Sequence, residues 1–480
     1  MTGRRLPEPW GSRLRRDRPL AFRFEGRAFE GFEGDTLASA LLANGVDILS
    51  RSFKYHRPRG PLTLRGLDAN CYVQLGDEAN VPADRLPLAA GMVAAGQNCR
   101  GSLAHDRDAW IGRVARFLPV GFYYKTFYRP KGSWKYWERY IRAKAGLGRL
   151  SRDTRHGYFD KDYRFCDVAV VGGGPAGLAA AEAALAAGAE VVLVEDEPEL
   201  GGVLRWGRFQ PQDEAFVHAD RLRRELPTMP RLSVMTGATC TGLFADHWLA
   251  IVHGHRLTKL RAGTVVLATG CVEQPMVFRN NDLPGVMLAS AIQRLMRLWG
   301  VRPGRQAVVV TGATQGYAAA LDLLDAGVTL AAVLDLRAEP GSCELRDELL
   351  GQAVRVRDGW TVTEARGSGR IEGVVIDRVT GEGTTAGAGI PIACDLLVTA
   401  AGVVPLGQLA CGVGARFAYD NALASFRVEG VPEGVRLAGA VNHRHTLAAC
   451  LTDGAGAASE PECRSHPWPI FPHSSGKDFV

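Results

Sequence analysis

The spacing of apolar and polar residues changes character part-way along the chain. Near the N-terminus, Phe22-Arg23-Phe24-Glu25-Gly26-Arg27-Ala28-Phe29 alternates on both sides of Glu-Gly, which predicts a hairpin. Asp35 follows as the expected cap of a short helix over Thr36–Asn44, ended by Gly45. Strand, turn, strand and helix in this order open a β-grasp, ferredoxin-like module, assigned to 19–105 behind a basic arm over 1–18. From Cys166 the alternation gives way to short continuous apolar runs, as expected of parallel strands covered on both faces. Asp167–Val171 and Val191–Val194 read as strands around an alanine-rich helix, Ala176–Ala187. The pattern restarts with a strand at Ala307–Val310, a helix at about 317–326 and a strand at about 329–334, while Thr264–Leu267 and Asp395–Thr399 are further buried strands.

Two strand–helix–strand units, the second inserted in the first, predict an α/β, Rossmann-like, two-dinucleotide-binding domain of the thioredoxin-reductase type. Its first nucleotide-binding domain spans 165–300 and returns over 395–460, and the second, degenerate one spans 301–394. An aromatic and basic linker over 106–164 joins it to the module, and 461–480 is an extended, proline-rich tail. In the linker, Phe122, Tyr123, Tyr124, Phe127, Tyr128, Trp134, Tyr136, Trp137 and Tyr140 interleave with Lys125, Arg129, Lys131 and Lys135. This reads as a segment clamped between domains or subunits in preference to a base-stacking surface.

Composition narrows the class. At 480 residues, 46% hydrophobic and 22% charged, the chain holds two to four domains and is not disordered throughout. The most apolar run, Ala176–Leu185, is interrupted by Gly177 and Glu182, so no membrane span is expected. Glycine, 57 of 480 residues or about 12% against a usual ~7%, points to tight turns and phosphate loops. The net charge of +6 gathers at Arg4, Arg5, Arg13, Arg15, Arg16 and Arg18, read as a solvated arm or subunit contact and not a nucleic-acid site. No apolar segment follows Arg4-Arg5, so no secretory signal is expected, and a cytoplasmic location is. The ten cysteines form no CxxC and no metal-ligand spacing, and read as reduced thiols. His443 and His445 read as a turn or a substrate contact, with no metal.

The chemistry concentrates at Gly172-Gly173-Gly174-Pro175-Ala176-Gly177, a GxGxxG between strand and helix. Gly172 permits the tight turn, Gly174 the approach of a pyrophosphate, and Gly177 close helix–strand packing. Pro175 and Ala176 open the helix whose N-terminus faces the phosphates. Glu195 ends the next strand; a carboxylate there accepts ribose hydroxyls and repels a 2′-phosphate, which fits NAD or FAD and not NADP. Gly201 and Gly202 follow it as in flavin-type Rossmann domains, and Thr269 and Gly270 end the closing strand beside the cofactor. The second unit reads Thr311-Gly312-Ala313-Thr314-Gln315-Gly316, with Thr314 in place of the middle glycine and Asp335 in the acidic position. Fold kinship without tight nucleotide binding is expected there. Ala440, in Leu437-Ala438-Gly439-Ala440-Val441-Asn442, stands where flavoproteins of this plan often carry an acid for the ribityl chain.

Several runs resemble the α subunit of heterotetrameric sarcosine oxidase. They are Gly34–Gly45, Arg51-Ser52-Phe53-Lys54-Tyr55-His56-Arg57-Pro58-Arg59-Gly60, Gly121–Phe127, the glycine loop, Asn281–Met287 and the tail Pro467–Val480. The resemblance implies a β-grasp module without an iron–sulfur cluster, since Cys71 alone cannot hold a [2Fe–2S] centre and Tyr55-His56-Arg57 stands in the ligand loop. It implies NAD at Gly172–Gly177 and Glu195, where relatives carry FAD. Its partners would be a β subunit bearing the amine-oxidising FAD, with FMN between α and β, and smaller subunits. The family's folate-binding half lies past the position of Val480, so either this is a short or split α subunit, with a separate folate-binding chain as one option, or the sequence is a fragment, and folate binding is not carried over to this chain. Neither nucleic acid nor membrane is an expected partner, and no catalytic base is assigned. Three readings stay open: such an NAD-binding subunit, a relative serving opine or proline oxidation or hydrogen cyanide synthesis, and an FAD-dependent, NAD(H)-linked enzyme. A structural subunit with a bound nucleotide is the bland alternative.

Overall fold

The structure is a computed structural model and describes residues 3–119, 121, 127, 129–145 and 157–459. The tail 461–480, Cys463 and the aromatic residues Phe122–Tyr124 and Tyr128 lie outside the described residues. The chain divides into two units. The described residues of 1–155, 206–208 and 273–402 form one, and those of 156–205, 209–272 and 403–480 the other.

The first unit opens on the hairpin. Strands Arg15–Phe24 and Arg27–Glu33 pair antiparallel with Phe22 opposite Phe29, and Glu25 and Gly26 both turn through positive φ, as a tight hairpin turn requires. The five-stranded sheet runs Arg27–Glu33, Arg15–Phe24, Val93–Gly96, Tyr72–Leu75, Glu78–Pro82. All seven residues of the helix Leu37–Ala43 are buried. Its cap is Thr36, whose hydroxyl accepts from Ser39 N–H in a capping box, and not Asp35. Asp35 is buried one residue earlier, accepting from Phe32 N–H, Ser39 Oγ and Arg5 Nη2. Part of the basic arm is correspondingly drawn onto the fold, while Arg15 and Arg18 stay exposed. Leu6 is buried, Arg16 donates to the Leu6 and Trp10 carbonyls, and Arg4 pairs with Asp47. Backbone carbonyls and buried carboxylates draw these guanidinium groups onto the fold.

The inserted segment of this unit is a parallel sheet in the order Val286–Leu288, Leu396–Ala400, Gln306–Thr311, Thr329–Asp335, Val356–Asp358. Helices Ala289–Trp299 and Thr314–Asp325 accompany it. Trp299, Leu295 and Ile292 share one apolar core with Leu37, Leu41 and Leu49 of the N-terminal module. The module and the insert are therefore one body, joined through the helix Ala289–Trp299.

The second unit is built on Leu232–Thr236, Val191–Glu195, Asp160–Val171, Arg256–Leu267 and Val435–Leu437, neighbours in that order and parallel throughout. The N-terminal half of Arg256–Leu267 carries an antiparallel extension through Trp248–His253 and Thr239–Phe244. Val168–Val171 and Val191–Val194 are buried on both faces, which is why these runs lack alternation. Among the described residues no helix is long and apolar enough to cross a membrane.

Candidate dinucleotide site

The site lies at the C-terminal ends of the central strands of the second unit. The chain leaves Val171, turns at Gly172 (φ +109°) and enters the helix Pro175–Ala186, with Gly174 as N-cap and Pro175 in the first turn. Gly172 N–H donates to the Val194 carbonyl at 2.8 Å. A Cβ at Gly172 would stand 2.3 Å from the Ala268 carbonyl oxygen, and one at Gly177 1.8 Å from that of Gly172. Both glycines are demanded by backbone approach. At Gly174 a Cβ would meet nothing within 4 Å. The space is left on the side where the free N–H groups of the helix N-terminus collect positive potential.

Glu195 is 6% exposed and folds over this loop. Its Oε2 accepts from Gly173 N–H at 2.6 Å and its Oε1 from Glu197 N–H at 2.8 Å. Burial, reinforced by the neighbouring Asp196, raises its carboxyl to about 8, against the pull of the two N–H donors. Gly201 N–H donates to the Gly173 carbonyl at 2.8 Å, and a Cβ on Gly202 would come within 3.1 Å of Gly174 Cα. Gly172, Gly174, Pro175, Ala176, Gly177, Glu195, Gly201 and Gly202 are thus brought together. Thr269 and Gly270 also tie down the return. Thr269 Oγ1 donates to the Leu406 carbonyl at 2.7 Å and Leu406 N–H donates to Gly270, so they fasten the returning chain. Ala268 and the backbone N of Thr269 abut the loop, the latter 3.3 Å from a Cβ built on Gly172.

The return adds residues that the sequence reading passed over. A Cβ on Gly439 would be 2.6 Å from Ala176 Cβ, and one on Gly454 2.1 Å from the Ala176 carbonyl oxygen. The helix Leu447–Ala458 therefore lies directly on the helix Pro175–Ala186. Asp453 accepts from Gly439 N–H at 2.8 Å and from Asn442 Nδ2 at 3.1 Å. It fixes the 439–442 turn beside the glycine loop, so a carboxylate serves this turn although Ala440 is not acidic. The available signal was Gly454, a glycine inside a helical run that only close packing rewards. His443 sits in the turn that follows, its Nε2 2.8 Å from the Phe426 carbonyl oxygen, and among the described residues no cluster of metal-ligating side chains forms.

The second strand–loop–helix, in the first unit, is arranged otherwise. Thr311 Oγ1 turns back onto the loop, donating to the Ala313 carbonyl at 2.5 Å and accepting from Ala313 N–H. Asp335 is fully buried, and both its oxygens are taken. Arg337 supplies N–H and Nε to Oδ1 and Nη2 to Oδ2, and Tyr317 OH donates to Oδ2. These donors hold the Asp335 carboxyl below its ordinary value despite burial, and Tyr317 is pushed the other way by burial and by Asp335. A carboxylate offers about four acceptor positions. Four are filled at Asp335, so none remains for a ribose.

Residues 166–424 match the family model described as pyridine nucleotide-disulphide oxidoreductase, and 17–99 match the 2Fe-2S iron-sulfur cluster binding domain. The second match corrects the expectation of a ferredoxin-like module without a cluster, and of no iron–sulfur cofactor. The β-grasp strand and helix pattern carries that kinship, whereas the expectation rested on counting thiols. The residues themselves do not compose a four-thiolate site. Residues 17–99 contain Cys71 and Cys99, the first wholly buried and raised well above an ordinary thiol, the second raised to about 11 by burial. His56 is engaged by Asp106 at 2.6 Å, and no chemical step is assigned to a cluster here.

The chain is 37% identical over 478 residues to the alpha chain of sarcosine oxidase from Rhizobium meliloti, covering 95% of this chain and 47% of that protein. It is 31% identical over 185 residues to an opine oxidase subunit of Rhizobium meliloti, over 36% of this chain and 35% of the relative. The chain spans about half the length or less of these curated relatives. The fold is shared with L-proline dehydrogenase from P. horikoshii, at a TM-score of 0.65 and 19% identity, over 95% of this chain and 75% of that one.

Proposed function

The chain belongs to the pyridine nucleotide-disulphide oxidoreductase family, and on that premise we propose that it is the dinucleotide-binding, α-type subunit of a multi-subunit, flavin-dependent amine oxidoreductase of the sarcosine oxidase kind. The observation that carries the reading is the open position at Gly174, bracketed by the helix N-terminus and by Glu195 with acceptor capacity to spare. NAD is the nucleotide proposed. The loop N–H groups after Gly174 receive its pyrophosphate and Glu195 its ribose hydroxyls, while Gly201 and Gly202 back the loop. Bound NAD supplies a hydride-accepting nicotinamide. The chain's own residues hold and orient it, and Asp453 positions the 439–442 turn against Ala176. No side chain of this chain is assigned as a base, and oxidation of the amine is placed on the flavin of a β-type partner.

The test is to express the chain alone, denature it, and identify the released nucleotide by absorbance and mass. NAD without flavin supports the proposal. Released FAD, or amine turnover by the chain with no partner, overturns it in favour of a self-contained flavoenzyme.

A further inference from the structure

His56 is buried in the N-terminal module with both ring nitrogens engaged. It stands at φ +54°, a left-handed conformation that a side chain keeps only where its surroundings hold it. Nδ1 lies 2.6 Å from Asp106 Oδ2, and Nε2 lies 2.6 Å from the Lys144 carbonyl oxygen. The Asp106 side chain is wholly buried, and its Oδ1 accepts from the N–H groups of Arg100 and Asp108, each at 2.9 Å. A carboxylate and a carbonyl both accept and do not donate, so the two bonds need two protons. A neutral imidazole has one N–H and would set a ring lone pair against an oxygen. The pair therefore holds both protons, as imidazolium and carboxylate.

The Lys144 carbonyl belongs to the last turn of the helix Trp134–Ala145. Carbonyls there lack intrahelical partners and carry the negative end of the helix dipole, so a cation is a favourable cap. Among the described residues 134–144 none is buried, and a twelve-residue helix is marginal in water without tertiary support. Ties to the module therefore bear on whether this helix holds its place. His56 is one, and Lys144 Nζ donates to Asp108 Oδ1 at 2.7 Å as another.

We propose that His56 is a proton-operated clamp: protonated, it holds the last turn of the helix Trp134–Ala145 against the N-terminal module, and on losing one proton it lets that turn go. The charged groups around it are Asp106, Asp108, Lys144, Arg51, whose Nη1 donates to the His56 carbonyl at 2.8 Å, and Arg100, 3.9 Å from Asp108. Cys99, within reach of Asp106 and Arg51, has its thiol pushed up to about 11 by burial. His105, next to Asp106 in the chain, is exposed. Of these residue types histidine is the one that ordinarily changes charge near neutrality. A folded state that needs the proton has this support at low pH and loses it as pH rises.

The test is amide hydrogen exchange of the full chain at about pH 6 and about pH 9, corrected for intrinsic rates. Protection of amides 134–144 is expected to fall about tenfold at the higher pH. In His56→Asn, a replacement that tolerates positive φ, protection should be low at both pH values. Lys144→Met removes the tie to Asp108 and keeps the carbonyl, so the pH-dependent fall should remain. Equal wild-type protection at the two pH values overturns the clamp. So does a fall that survives in His56→Asn, or one that disappears in Lys144→Met, which would assign it to the ammonium and Asp108. If His56→Asn does not fold, wild type and Lys144→Met decide the matter.

Discussion

At the Gly172 loop a side chain added at the middle glycine would enter open space, and the acid that follows accepts from two backbone N–H groups. At the Thr311 loop the residue at the helix N-cap is Ala313, not the Thr314 that sequence spacing suggests, and the acid is filled by Arg337 and Tyr317. Both regions carry a strand, a tight loop, a helix and an acid at the end of the next strand. What separates them is the origin of the donors on the acid. Loop N–H groups leave lone pairs for a ligand, whereas an arginine and a tyrosine use them up. An acid in the right place is therefore a weak sign of nucleotide binding until its partners are known.

The contrast breaks most severely at Gly177. Gly177→Ala places a methyl 1.8 Å from the Gly172 carbonyl oxygen, so the loop must rearrange. Nucleotide released on denaturation should fall to near zero, with stability lost by about 2 kcal/mol, typical of overpacking. A variant retaining full nucleotide content would remove the glycine loop from the site. Next in size is Arg337→Ala, which removes the guanidinium and leaves a fully buried Asp335 with Tyr317 OH and the backbone N–H of residue 337. A loss of about 2 kcal/mol in chemical denaturation is expected, below the value for wholly buried pairs because Arg337 is partly solvated. Nucleotide content should be unchanged, and its loss would mean that the second region binds after all.

Glu195→Gln is a finer test. Removing the charged acceptor should weaken NAD about tenfold in a titration. The pH dependence has a definite sign. The Glu195 carboxyl is raised to about 8 in the folded chain, above its ordinary value of 4.5. Its contribution to the stability of the nucleotide-free chain is present at low pH and is lost as pH rises from about 4.5 through 8. Ribose hydroxyls donate to the ionised form, so NAD affinity should climb over the same interval and level off above it. In Glu195→Gln both dependences should flatten, and an unaltered profile would assign the titration to another group. The smallest effect is expected at Gly312→Ala, where the added methyl comes no closer than 3.4 Å to any atom. Its midpoint should shift by less than about 0.5 kcal/mol. A large loss there would restore the symmetry between the two loops.

Much of this was legible locally. The Phe22–Phe29 hairpin, the helix after the glycine loop and the buried strands follow from periodicity, because one buried face imposes its period on the chain. Glu195 and the loop glycines were legible for a similar reason, since a tight turn and a close backbone approach admit few other residues. The cap at Thr36 was misread by one position because Asp and Thr both cap well, and only the burial of Asp35 against Arg5 decides between them. Thr269 and Gly270 also bond to Leu406, and that was not legible because it depends on a segment more than a hundred residues away.

The sequence by itself determined the strand and helix order, the first dinucleotide loop and its acid, because these obey rules of near-neighbour spacing. The tertiary structure alone decided that the second acid is saturated, that Asp453 and Gly454 support the first loop, and that the N-terminal module shares a core with the insert. Each of those depends on which distant side chain fills a given space, and burial and hydrogen-bond saturation are properties of the assembled interior, not of the local run of residues.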